Sequence, residues 1–191
     1  VLSAGAAGLF FLVVHESLHG LFADLEEGSA RLLRLAGAGC AAVLGAFTFT
    51  NWQNSNETEV YGVATFTIAA MCWLVQVWRR RRETERAPRL LLLVVFLAGI
   101  SIGNHLLALL AGPAIVAFLV ATLLRDPAPE PARRREEWGQ VAVVSGGWAL
   151  LIGTGLGSTT LTALGALCFL GAAAYAAAGG AGAFALVSLA I

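Results

Sequence analysis

Apolar residues along the chain fall in long blocks separated by short polar stretches, and the block length decides what they can build. A bilayer core of roughly 30 Å takes about 20 apolar residues of helix, with roughly 17 to 25 as the working range. That window predicts a truncated span at about residues 1–14, then spans at 35–50, 60–78, 90–104, 106–124, 139–157 and 160–178, with a partial run after Gly182. The span at 90–104 is short, so it starts inside the arginine-rich flank before it or ends below the membrane surface. The expected fold class is an all-α polytopic membrane protein of about seven spans, with residues 1–191 forming one transmembrane domain. The start at Val1 without methionine and the end at Ile191 within an apolar run predict a fragment truncated at both ends.

Arginine gives these spans a direction, because basic residues in short loops stay cytoplasmic. Residues 15–34 carry Arg31 and Arg34, residues 79–89 carry six arginines and residues 125–138 carry four, whereas 51–59 and 104–105 carry none. Each strongly basic loop is two spans from the next, as a consistent topology requires. The arginine-rich loops are therefore expected inside, as topology signals on solvated loops, and loops 51–59 and 104–105 outside. Pro127, Pro129 and Pro131 predict a stiff, non-helical connector.

Composition supports the membrane reading: 58% of residues are hydrophobic, 13% are charged, 22 are glycine, and the mean hydropathy is +0.78. All 12 basic residues are arginine, which with the Ala/Gly/Leu bias suggests a GC-rich bacterial source and hence the cytoplasmic (inner) membrane. Zero net charge argues against nucleic acid as a partner. Cys40, Cys72 and Cys168 stand singly in apolar runs and read as small buried hydrophobes. The opening run lacks the basic flank and cleavage site of a signal peptide, and "GTGLGSTT" at 153–160 lacks the Gly-Lys-Ser/Thr ending of a phosphate loop. From 163 onward the chain is nearly all Ala, Gly, Leu and Phe, which permits close helix packing and carries no catalytic chemistry.

Two sets of residues carry chemistry. His15-Glu16-Ser17-Leu18-His19 matches H-E-x-x-H, which on a helix sets two imidazoles one turn apart beside a general base, as in a zinc intramembrane metalloprotease. A third ligand is needed, yet His105 and the "NETE" carboxylates belong to the opposite membrane face, roughly 30 Å away. The preferred reading of this motif is a polar helix end meeting headgroups or water. The second set is outward-facing. Glu57 and Glu59 begin a span where the helix dipole favours negative charge, flanked by Trp52 and Tyr61 at interfacial depth. Asn104 and His105 join two spans with almost no loop, and an ionisable group at that depth is a functional candidate, able to bind phosphate or move a proton. The sequon Asn56-Glu57-Thr58 is read as coincidental.

Residues 47–120, about two fifths of the chain, resemble the membrane family catalogued as domain of unknown function 2723, bacterial relatives of the transmembrane-protein-260 type protein O-mannosyltransferase. The resemblance rests on "FTNWQNSNETEVYGVATFTIAAMCWL" and "LAGISIGNHLLALLAGPAIVAF", in order and with a basic loop between them. It implies a GT-C-like helix bundle and an inverting glycosyltransferase that moves a sugar from a polyprenyl-phosphate carrier to a protein or glycan acceptor on the outer face. It also singles out Glu59, Tyr61, Asn104 and His105; on that basis Glu59 and His105 are expected in supporting catalytic roles, and Trp52, Tyr61 and Asn104 in substrate binding. The family's acidic motif and His-Pro-Pro-Gly-like segment, which would supply the main base, are not in this chain. No cofactor is implied beyond a divalent metal ion as one option. Besides the metalloprotease at His15, Glu16 and His19, the alternative is a non-enzymatic transporter or scaffold, which would explain the oily helices but not the outward Glu/Tyr and Asn/His pairs.

Overall fold

A computed structural model describes residues 2–48, 52–53, 61–104 and 106–191, and every regular element among them is helical. The elements are α1 (Leu2–Ser17), α2 (Glu27–Ala46), α3 (Tyr61–Arg80), α4 (Ala87–Ser101), a 3₁₀ segment (Leu106–Ala111), α5 (Gly112–Arg125), α6 (Pro131–Gly155), α7 (Thr159–Ala178) and α8 (Gly182–Ala190). Each predicted span overlaps helical structure, that at 106–124 falling on the 3₁₀ segment and α5 together. Among the described residues, four helical stretches are long and apolar enough to cross a membrane: Glu27–Ala46, Tyr61–Arg80, Leu106–Arg125 and Thr159–Ala178. α1 and α4 are shorter apolar helices, and α6 is longer but opens with charged turns. Their outer surfaces carry Leu32, Val43, Leu44, Leu110, Leu124, Leu164 and Leu167, all exposed, as expected of helices whose solvent is lipid. This is an all-α membrane protein.

The chain divides into two compact units, Val1–Gln76 and Val77–Ile191. In the first, α1 and α2 pack through small residues. The buried stripe of α2 is Ala30, Arg34 and Ala38, one turn apart each, and Gly37 leaves room for Leu18. α2 starts eight residues before the predicted span because its polar first turns hold an ion pair: Arg34 donates to Glu27 at 2.8 Å. Gly5 receives the Phe66 ring of α3, and Gln76 Nε2 donates to Ser17 Oγ at 3.0 Å.

The second unit is built on an α6–α7 hairpin. Gly139, Gly146 and Gly153 recur every seven residues along α6, and a Cβ on them would come within 2.8, 2.8 and 2.5 Å of the backbone at Ala176, Phe169 and Thr162. Each step of seven up α6 is thus matched by a step of seven down α7, the close antiparallel seam that small residues permit in membranes. Gly157, at φ +64°, closes the hairpin: Ser158 N–H reaches Gly153 O and Gly157 N–H reaches Thr154 O.

Three expectations are corrected. The proline connector is non-helical only until Pro131, which takes the first turn of α6, where a missing N–H costs nothing. The stretch after residue 105 begins as 3₁₀ helix rather than α-helix. Cys40 and Cys168 are exposed and Cys72 half-buried, so the cysteines lie on helix surfaces instead of in the core.

Candidate functional site

In the first unit, the end of α2 and the start of α3 enclose a cavity of about 420 Å³ with α1. Trp52 and Tyr61, the two aromatics singled out in the sequence, both line it. Phe47 joins them, stacked on Trp52 with ring centroids 5.7 Å apart and planes at 19°. The helix walls are Ala4, Ala7, Ala41, Ala42, Gly45 and Gly62, so small side chains create the space, and Ser3 and Thr65 add aliphatic hydroxyls to it. Thr65 Oγ1 donates to Tyr61 O at 2.8 Å and keeps lone pairs for a guest. Trp52 is 55% exposed, leaving much of the indole uncovered. An apolar pocket with aromatic rings and few polar groups suits an amphipathic ligand. Phe47 was hidden from sequence reading because it fell within a predicted span, where an aromatic carries no special signal.

In the second unit, α4 ends at Ser101 and the chain turns through Gly103 and Asn104, with Asn104 N–H bonded to Ser101 O at 3.1 Å. Asn104 is half-buried. The 3₁₀ segment follows, its Leu109 carbonyl accepting from Trp148 Nε1 of α6 at 2.9 Å. Glu57, Glu59 and His105 lie outside the described residues.

The basic side is not simply solvated. Arg82 is folded inward, its side chain 9% exposed: Nε donates to Glu137 Oε1 at 3.0 Å, Nη1 lies 3.6 Å from Asp126 Oδ2, and Nη2 donates to Asp126 O. Arg133 donates to Arg82 O and pairs with Glu137 at 3.6 Å. Arg34 is buried as well. Reading these arginines as solvated loop residues is corrected for Arg82 and Arg34: Arg82 is buried against a carboxylate 55 residues away, and Arg34 is buried beside Glu27 of its own helix. Glu137 stands just before the predicted span 139–157. Burial raises its carboxyl above the ordinary value, against the opposing pull of Arg82 and Arg133.

The H-E-x-x-H motif straddles a helix end. α1 stops at Ser17, so His19 lies in the following turn, its ring edge-on to His15 at 5.5 Å between centroids. Among the described residues no group of three His, Cys, Asp or Glu side chains converges to hold a metal ion.

The family model described as protein O-mannosyl-transferase TMEM260 N-terminal domain matches residues 1–126, about two thirds of the chain, and so reaches beyond the 47–120 segment whose motifs carry the resemblance. No curated protein and no solved structure matches the chain. With its membrane-length helices and a match over most of its length, the chain belongs to the family of the protein O-mannosyl-transferase TMEM260 N-terminal domain, a family of membrane glycosyltransferases.

Proposed function

We propose that the whole protein transfers a sugar from a polyprenyl-phosphate carrier to a protein or glycan acceptor on the outer face of a bacterial cytoplasmic membrane, by a GT-C type inverting mechanism. The family match carries this reading, and the cavity that pairs Trp52 with Tyr61 supports it. A lipid-linked sugar has an apolar chain, a charged phosphate and a polar ring, and the cavity's apolar walls, aromatic faces and few hydroxyls suit its chain and ring. Trp52 stacks on the sugar or borders the lipid entrance, with Tyr61 beside it.

Bond breaking leaves negative charge on the carrier phosphate, so the largest gain comes from donors aimed there. His105, as a cation, and the Asn104 amide are assigned that task. Glu59 orients the histidine or the acceptor hydroxyl, and it is the carboxylate on which a divalent ion would draw. The main base comes from an acidic motif that the family resemblance places ahead of the first span.

The test is transfer from polyprenyl-phosphate mannose, the family's name suggesting that sugar, by the whole protein in liposomes. His105→Ala is expected to lower kcat by about 100-fold or more, as for loss of a charge-stabilising donor. Trp52→Ala is expected to raise the donor KM by about tenfold, as for loss of a stacking surface of about 1.4 kcal/mol. A cleanly folded His105→Ala protein with native kcat would remove that residue from the mechanism.

A further inference from the structure

We infer that Trp148 is a positioning residue for the Gly103-Asn104 turn, acting through the carbonyl of Leu109. Pro113 lies four residues after Leu109. In a continuous α-helix the Leu109 carbonyl would accept from the N–H of residue 113, and residue 113 is proline, which has none. In the 3₁₀ segment that carbonyl turns instead toward the N–H three residues on, and with the residue-113 donor missing its second lone pair is open to one further donor. Trp148 Nε1 is that donor, at 2.9 Å and buried. The indole also needs a partner for its own N–H at this depth, so one bond satisfies two groups.

The neighbouring residues are shaped around this contact. Gly112 lies under the indole: a Cβ there would sit 1.9 Å from Trp148 Nε1, so no other residue fits. Seven residues along α6, Gly155 forms a second seat, where a Cβ would come within 2.5 Å of Leu106 Cδ2 and 3.4 Å of Leu109 Cδ1. α6 therefore grips the 3₁₀ segment at its first residue and again in its middle, and that segment begins two residues after Asn104. Trp148 and Gly155 both lie outside residues 1–126, the stretch matched to the family. The turn that carries the substrate-binding asparagine is thus held by a part of the chain beyond the family match. The catalytic meaning of the clamp rests on the function proposed above, whereas its mechanical part stands on these contacts alone.

The experiment uses the full-length protein in nanodiscs and reads two quantities: backbone hydrogen exchange over residues 106–111, and sugar transfer from polyprenyl-phosphate mannose. Trp148→Phe keeps a ring over Gly112 and removes the donor. It is expected to speed exchange in the segment about tenfold, as for loss of one buried hydrogen bond. kcat is expected to fall about 10- to 100-fold with the donor KM within about twofold, since small misplacement of a site penalises the reaction more than binding. Leu106→Ala, which empties the seat at Gly155 and leaves the hydrogen bond alone, is expected to lower kcat in the same way. In Trp148→Phe/Pro113→Ala the new N–H can fill the Leu109 carbonyl, so protection returns while kcat stays low, because the segment is satisfied but no longer held by α6. Unchanged exchange in Trp148→Phe overturns the clamp, and recovery of kcat in the double variant reduces Trp148 to a hydrogen-bond filler and overturns the positioning role. Native transfer by Asn104→Ala overturns the site reading instead, and the exchange comparison still decides the clamp.

Discussion

Glu137 shows how a single side chain can tie proton binding to the fold. One of its oxygens receives Arg82 and Arg133, while Oε2 is buried with no hydrogen-bond partner among the described residues. Its folded-state carboxyl binds a proton more tightly than the unfolded one, burial being the larger cause and the two guanidiniums opposing it. Between the ordinary carboxylate value and the raised one, the folded protein therefore holds more protons, and stability falls as pH rises through that window. Relative to Glu137→Gln, which cannot titrate, the native protein is expected to gain stability as pH drops into the carboxylate range, as measured by thermal unfolding in detergent across pH. A difference that grows with rising pH would contradict the raised value. Residues of this kind are hard to see in a sequence. Arg82 sits in a run of four arginines that all look solvated, and its carboxylate partner lies 55 positions away. Trp52 and Tyr61 were legible because an aromatic at the edge of an apolar block announces itself locally.

At the scale of elements, the α6–α7 hairpin depends on glycines whose neighbours are backbone, which cannot move aside. A Cβ at Gly165 would lie 2.6 Å from Leu150 Cα, whereas one at Gly171 on the same helix meets nothing within 4 Å. Gly165→Ala is expected to cost about 1 to 3 kcal/mol through overpacking, and Gly171→Ala to be neutral or to stabilise by up to about 1 kcal/mol through helix propensity. Thermal unfolding of the two variants checks the pair, and equal effects would contradict the seam. The helices themselves were legible because hydrocarbon thickness imposes a length that apolar blocks must meet. Their ends were less so. α2 starts early because Glu27 and Arg34 pair across two helical turns, and the 3₁₀ start of the Leu106–Arg125 stretch follows from Pro113 together with a tryptophan 39 residues from the carbonyl it serves. Pro113 was visible in the sequence, and its consequence needed the fold.

For the molecule as a whole, the arginine distribution predicts two sides. Loop 51–59 is assigned to the outer face and the arginine-rich 79–89 to the inner one. In a background with Cys40, Cys72 and Cys168 replaced, Ser55→Cys is expected to react with a membrane-impermeant maleimide in intact cells and Thr84→Cys only after permeabilisation. The reverse pattern would invert the topology and move the candidate site to the cytoplasm. Sugar transfer from a lipid-linked donor is read out directly when polyprenyl-phosphate mannose and acceptor are supplied to the whole protein in sealed liposomes. Sugar on the acceptor, released carrier phosphate in equal amount, and loss of both in His105→Ala are expected. A folded wild-type protein that leaves the donor intact, with acceptor on either side of the membrane, would contradict the proposed transfer.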